Sequence, residues 1–533
     1  MLTHWVGRAK GHVYRHLVRI AGDMEGRNRL GWALAVYRFL SALAPGHVEL
    51  VQACANLLGR LGRSKEALKA YQEVVRLQPD SAFAHFRIAE ILTYLGRYRE
   101  ALPHFGRTVK LNPEWLEAQE VYGRALWICH DYESAEEVWR HWLSSQAQVA
   151  AAQGHDPSAF RILNTVWCGW LGNNAHLDAY VKIGLLGWRP GHAMKLLAPA
   201  DRVANQAYLR GWEPYVDIVT DGAEVERLSA LNSTLGDSLY TMVVNGTPTY
   251  FPNAIALAQG EWERQNRPPL MKLNSAELDR GRHALAKLGV PRDDWYVCLH
   301  VREAGFWNEA GDPSNAPRVA DISTYLPAIE RIITRGGVVI RLGDKSMRPL
   351  PAMKGLIDYA RSDAKSDWMD VFLCSTCRFL IGTNSAMYQV AVSFGVPVLV
   401  TNWMPLSSFP VQAADVVLPK LIYSEEKSGI LSFSEMLDLP RDIWSGHFFH
   451  GRHLTPVSNT EQDLLAGVEE MLDRDPARLA DRDADGQALC EIARSHRVRM
   501  NGRIGKRFLQ AHPDFLAETS SLDSGRLRTV RHA

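Results

Sequence analysis

The chain has 533 residues, 46% of them hydrophobic and 22% charged, which is too long for a single hydrophobic core and fits a soluble protein of about three domains. A formal net charge of +1 argues against a general nucleic-acid binder, because neutralising phosphates requires a basic surplus. Seven scattered cysteines, Cys54, Cys129, Cys168, Cys298, Cys374, Cys377 and Cys490, form no disulfide framework and predict a reduced, cytoplasmic protein; no apolar run reaches the roughly 18 residues of a membrane span.

The first twenty residues mix Leu2, Trp5, Val6, Val13 and Leu17 with Arg8, Lys10, Arg15 and Arg19. They lack the uninterrupted apolar centre of a signal peptide. The segment is read as a cap on the helices after it, with peripheral contact to an anionic membrane as the alternative.

Residues 21–149 are periodic. Pro45, Pro79 and Pro113 stand 34 residues apart. Ala33, Ala67, Ala101 and Ala135 keep the same step, as do the aromatics Tyr37, Tyr71, Phe105 and Trp139. A small residue tracks with them at Ala21, Ala55, Ala89 and Gly123, and Gly62 and Gly96 mark turns between helices. Small residues let paired helices approach, the aromatic fills the space between units, and proline ends the second helix of each pair. The pattern resembles the tetratricopeptide repeat. Four units are expected, near 14–47, 48–81, 82–115 and 116–149, forming a superhelical domain over 1–150 whose concave groove takes a protein or peptide partner.

Beyond residue 150 short apolar runs alternate with amphipathic helices, which predicts α/β architecture with parallel sheets. A first Rossmann-like domain is expected over 151–290. It has a strand at 162–168, a turn at 169–174 that lacks a dinucleotide fingerprint, a helix at 176–186 and a strand at 193–197; a helix at 276–288 closes it. A second is expected over 291–460, with strands at 295–301, 337–342, 378–381 and 396–401, a short apolar run at 356–359, and helices at 325–334, 368–376 and 385–394. Helices at 461–515 pack against these domains, and 516–533 is a polar tail.

In open parallel sheets ligands bind outside the carboxyl ends of strands. Three polar clusters of the second block fall there: His300-Val301-Arg302-Glu303, Arg341-Leu342-Gly343-Asp344-Lys345, and Gly382-Thr383-Asn384-Ser385. The last opens a helix, where free N–H groups and hydroxyls suit an anion, and arginine can grip two phosphate oxygens. Each cluster also has an ordinary reading: a helix cap, an arginine paired with Glu303 or Asp344, a core histidine. Together they suit a nucleotide diphosphate held without a metal.

These clusters, with Arg318-Val319-Ala320-Asp321, the glycine-led strand 336–343, Asp370, and Pro397 to Asn402, resemble a bacterial family of glycosyltransferases often fused to tetratricopeptide repeats. The resemblance covers about residues 160–515 and implies a GT-B fold, distantly like fucosyltransferases that carry a His-x-Arg motif. It implies a nucleotide-sugar donor on the C-terminal domain, with Arg302 and the Thr383–Ser385 turn at the diphosphate, and Arg341, Asp344 and Asp370 orienting the donor. Transfer needs charge stabilisation on the leaving diphosphate and a base at the acceptor hydroxyl; His176, Asp178 and Glu303 are the candidates for the base. No cofactor beyond the donor is expected. The acceptor is a protein or a surface polysaccharide, with a non-catalytic repeat adaptor as the rival reading.

Four further features are read as structural. Cys374 and Cys377 have redox spacing but lie in an apolar helix. Asp481, Asp483 and Asp485 form a charged helix face. Trp115, Trp127, Trp139 and Trp142 cover the last repeat. His447, His450 and His453 sit near Trp444 in an aromatic-packed loop.

Overall fold

In a computed structural model the chain forms two compact units, Met1–Ser145 and Gln146–Ala533. Every residue is described except 1, 292–293, 304–316, 407, 409–411, 442, 444–445, 475–482 and 517–533, together with the side chains of 2–13. Trp444, Asp481 and the polar tail therefore lie outside the described residues.

The first unit is a run of helices set by the 34-residue step. Leu30–Leu43, Ser64–Leu77, Tyr98–Leu111 and Tyr132–Ala152 begin 34 residues apart, as do Val48–Arg60, Ala82–Tyr94 and Leu116–Ile128. Ala33, Ala67, Ala101 and Ala135 are fully buried, and Tyr71, Phe105 and Trp139 fill the spaces beside them. Gly62 and Gly96 take φ +72 and +71° between paired helices, a left-handed turn that glycine adopts without steric cost. Trp127 stacks on Trp139 at 5.7 Å, and Trp115 packs on Phe86 at 4.5 Å. Gly123 has no room to grow: a Cβ there would lie 2.4 Å from Trp139 Nε1. Alanine gains about 1 kcal/mol of helix propensity, but overpacking costs about 1–3 kcal/mol. Gly123→Ala is therefore expected to destabilise the repeats in urea unfolding followed by circular dichroism; an unchanged midpoint would refute this packing account.

The second unit holds a small and a large parallel sheet. The small one pairs Phe160–Leu163, Ala193–Leu197 and Asp217–Val219 in that order. The strand expected at 162–168 is earlier and shorter. Asn164 turns the chain by accepting the Val166 N–H at 3.1 Å, and helices Val166–Gly169 and Leu171–Ala175 occupy the predicted turn. An antiparallel hairpin, Thr241–Val244 with Thr247–Tyr250, comes next.

The large sheet has seven strands, all parallel. From edge to edge they are Arg503–Ile504, Val416–Pro419, Val398–Trp403, Leu380–Gly382, Tyr296–His300, Val338–Arg341 and Leu356–Ile357. The central strands are buried along their whole length, as expected of a sheet covered on both faces. In chain order the sheet starts at Tyr296–His300, runs outward to Leu356–Ile357, then returns to Leu380–Gly382 on the other flank and continues outward. This is the doubly wound Rossmann-like order, with its reversal between Tyr296–His300 and Leu380–Gly382. A separate antiparallel sheet joins Gly429–Ile430, Leu421–Ser424 and Leu454–Val457.

The two α/β blocks, expected as separate domains, fall within one compact unit. Helix Leu171–Ala175 lies against Ala386–Ser393, where a Cβ on Gly172 would sit 3.2 Å from Gln389 Oε1. Tyr208 bonds Ser393 at 2.7 Å, and Asn205 donates to the Asp367 carbonyl at 3.2 Å.

Candidate functional site

The reversal point gathers the polar clusters. His300 is in register with Gly382, and Leu299 with Arg341, so all three clusters leave the sheet at one edge. The Thr383 N–H donates to the His300 carbonyl at 3.1 Å. The Arg302 N–H donates to the Thr383 hydroxyl at 2.9 Å. Ser385 precedes helix Ala386–Ser393 in extended conformation, and its side chain does not cap that helix; a hydrogen bond joins its Oγ to His300 Nδ1 at 2.9 Å. Burial, then the charges of Arg341, Arg302 and Lys365, push the His300 imidazole down to about 4, so it is neutral at physiological pH.

Around this centre lies a set of fixed charges. Arg341 is 0% exposed and donates to Glu303 at 2.5 Å and to Asp358 at 2.9 Å. Glu303 also accepts from Arg348 at 3.1 Å, and Arg348 reaches Asp321 at 2.5 Å. Arg341, expected to orient a donor, and Glu303, one of the candidate bases, are thus engaged with each other, in line with the ion-pair reading: two guanidiniums hold Glu303, and Arg341 donates to two carboxylates. Gly343 takes φ +140°, and a Cβ on it would meet Met347 Sδ at 2.1 Å. Asp344 accepts the Ser346 N–H at 2.7 Å and shapes its own turn. Asp370 pairs with Lys365 at 2.8 Å, and burial raises its carboxyl against the pull of that lysine. The Asn384 side chain is tied to the Met404 carbonyl at 2.5 Å.

Among the described residues His176 and Asp178 share no hydrogen bond or ion pair with this cluster. His176 is buried against Phe251, ring centres 5.0 Å apart, and burial drives its imidazole to about 4. Asp178 is buried beside Lys182 at 2.5 Å, which also donates to Gln259 at 2.6 Å. Burial raises the Asp178 carboxyl, with Lys182 opposing. The sequence pattern placed both toward a cleft; in the structure both side chains are buried.

Three basic residues escaped the sequence-based site. Arg318 donates to the Asn384 carbonyl at 3.2 Å. Lys420, buried, donates to the Pro317 and Val319 carbonyls at 2.9 and 2.8 Å, and burial lowers its ammonium to about 8. Together they pin the 317–320 segment over the Thr383–Ser385 turn. Lys365 lies close enough to depress His300. Of these only Arg318 carried a sequence signal, its place among the residues of the family resemblance.

Among the features read as structural, Cys374 and Cys377 are buried free thiols, and burial pushes the Cys374 thiol well up. Asp483 caps helix Ala484–Ser495 by accepting the Gly486 N–H, and His453 pairs with Glu425 at 2.7 Å on the surface.

The tetratricopeptide-repeat family matches residues 54–93 and 92–152, so the N-terminal region carries tetratricopeptide repeats, a module that serves protein–protein interaction. No curated protein matches the chain. Similar solved structures include a MamA RS-1 ArsTM double mutant, 17% identical over 26% of this chain and 85% of its own, with a TM-score of 0.24. They also include MamA 41-end from Desulfovibrio magneticus RS-1, 19% identical over 28% of this chain and 78% of its own, with a TM-score of 0.22.

Proposed function

We propose that the second unit is a glycosyltransferase that binds a nucleotide-diphosphate sugar at the sheet's reversal point, while the repeats recruit a protein acceptor or partner. One observation carries this reading: Arg302 and the Thr383–Ser385 turn are hydrogen-bonded together at the carboxyl ends of the two strands that flank the reversal. Doubly wound sheets bind phosphorylated ligands in that position. The helix after the turn offers its N-terminal N–H groups and dipole to an anion, and Arg302 adds the planar cation suited to a diphosphate.

Thermal unfolding with a panel of UDP, GDP, dTDP and ADP sugars tests it. One base type should raise the melting temperature, since a ligand of the native state adds RT ln(1 + [L]/Kd). Arg302→Ala should weaken that ligand by about 10- to 100-fold, as charge-assisted hydrogen bonds contribute roughly 1.5–3 kcal/mol. Absence of any shift at millimolar concentration would sink the donor reading. A second reading is favoured by the state of the nominated bases: Glu303 and Asp178 are both ion-paired, and His176 is buried. On that reading the unit senses a nucleotide sugar without turning it over. Donor binding with no sugar release in the presence of acceptor extract would select it.

A further inference from the structure

Helix Leu30–Leu43 departs from its repeat equivalents on its outer side. Trp32 is 70% exposed, Phe39 56% and Leu43 67%; Ala35 and Ala42 are exposed between them. These residues lie on one side of the helix, with Ala33, Leu34, Tyr37 and Leu40 buried on the other. The 34-residue alignment supplies an internal control. At the place of Trp32 the next two repeats carry Glu66 and Glu100, and at that of Phe39 they carry Glu73 and Arg107. Ala35 is matched by Lys69 in the next repeat, and Ala42 by Arg76 and then Lys110. At the places of Trp32, Phe39 and Ala42 the next two repeats are charged where the first is apolar, whereas Leu43 recurs as Leu77 and Leu111; terminal repeats are where a polar outer surface is needed for solubility.

The same hairpin is basic. Residues 2–29 contain six basic residues, Arg8, Lys10, Arg15, Arg19, Arg27 and Arg29, against two acidic ones, Asp23 and Glu25. Arg15 and Arg19 are exposed, and so are Arg27 and Arg29 in the turn before Trp32. Arg29 occupies the N-cap position, three residues ahead of Trp32.

We propose that this first hairpin docks the protein peripherally on an anionic lipid surface, with Trp32, Phe39 and Leu43 entering the interface and the arginines meeting the headgroups. An apolar face beside a cationic one is the pattern of interfacial helices, and tryptophan favours the headgroup level. Each Arg near an anionic leaflet adds about 1 kcal/mol, roughly fivefold in partition. A second copy of the chain is the less suitable occupant, because self-pairing would bring two basic surfaces together. No helix among the described residues is long and apolar enough to cross a membrane, so the contact lies at the surface.

Co-sedimentation of the full chain with phosphatidylcholine vesicles, with and without phosphatidylserine, tests this. Binding should require phosphatidylserine and weaken with salt. Trp32→Glu with Phe39→Glu places at these positions the residues found at Glu66 and Glu73, so the fold should tolerate them, and partition should fall at least about tenfold. Arg15→Glu with Arg19→Glu, which leaves the apolar face intact, should lower binding to phosphatidylserine vesicles to a similar extent. No sedimentation of the wild type, or sedimentation unaffected by both variants, overturns the proposal. So does a dimer in sedimentation equilibrium that Trp32→Glu with Phe39→Glu dissociates while vesicles are ignored.

Discussion

Arg341→Ala should remove about 3–5 kcal/mol of unfolding free energy, the usual cost of deleting one partner of a buried ion pair. The guanidinium is wholly enclosed and holds Glu303 and Asp358 at once. Its removal leaves Glu303, itself 3% exposed, with the exposed Arg348 as its one remaining ion pair among the described residues. The loss comes from stranding that carboxylate in a poorly polarisable interior and not from the worth of the pair. A second substitution separates the two. Replacing Arg341 and the more deeply buried of its two carboxylates, Arg341→Met with Glu303→Leu, leaves only the partly exposed Asp358 without its guanidinium and should recover a large part of the stability in guanidinium titration. A deficit below about 1 kcal/mol for Arg341→Ala would show that water reaches the site and that the network is weakly coupled. Because Arg341 ends the strand beside Tyr296–His300, the network also fixes the strand ends from which Arg302 and His300 emerge. The single variant should therefore lose ligand-induced stabilisation along with folding stability, while the double variant regains the second before the first.

Legibility in the sequence varies with the forces that fix each element. The repeats were legible because their packing repeats: the same alanine and aromatic recur wherever two helices must approach, and the observed starts at Ser64 and Tyr98 keep the step. The central strands Tyr296–His300 and Val338–Arg341 were legible within a residue because burial on both faces demands continuous apolar runs. Asp217–Val219, Val416–Pro419 and Arg503–Ile504 escaped. Each is two to four residues long, and such strands are fixed by the neighbour they pair with more than by their own composition. At the site, residues within one strand end could be grouped from sequence, but the adjacency of Arg302 and Thr383 depended on the order of strands. The roles of Lys365 and Lys420 were hidden because lysines in loops are ordinarily solvated. Pairing of Glu303 with an arginine was one of its sequence readings, but which arginines was not legible: Arg341 and Arg348, which take up its oxygens, lie 38 and 45 residues away in the chain.

His300→Asn should change the pH dependence of stability in a defined direction. Its imidazole is held at about 4 in the folded chain by burial and by Arg341, Arg302 and Lys365, against an ordinary value near 6.5. Above pH 7 the ring is neutral in both states, and the two proteins should differ by a constant. As pH falls below about 6.5 the unfolded wild type takes up a proton that the folded chain resists until about 4, so stability is lost across that window. The asparagine variant lacks this proton, and the gap should move in its favour by about 3 kcal/mol between pH 7 and 4. Comparing wild type with variant is essential, because Asp415, raised to about 7 by burial, contributes a slope of opposite sign that is common to both proteins. A gap independent of pH would mean that folding does not depress the His300 imidazole, and a gap that moves against the variant would mean that the ring is held charged in the native state. In that case its hydrogen bond with Ser385 would not be a contact of the neutral ring.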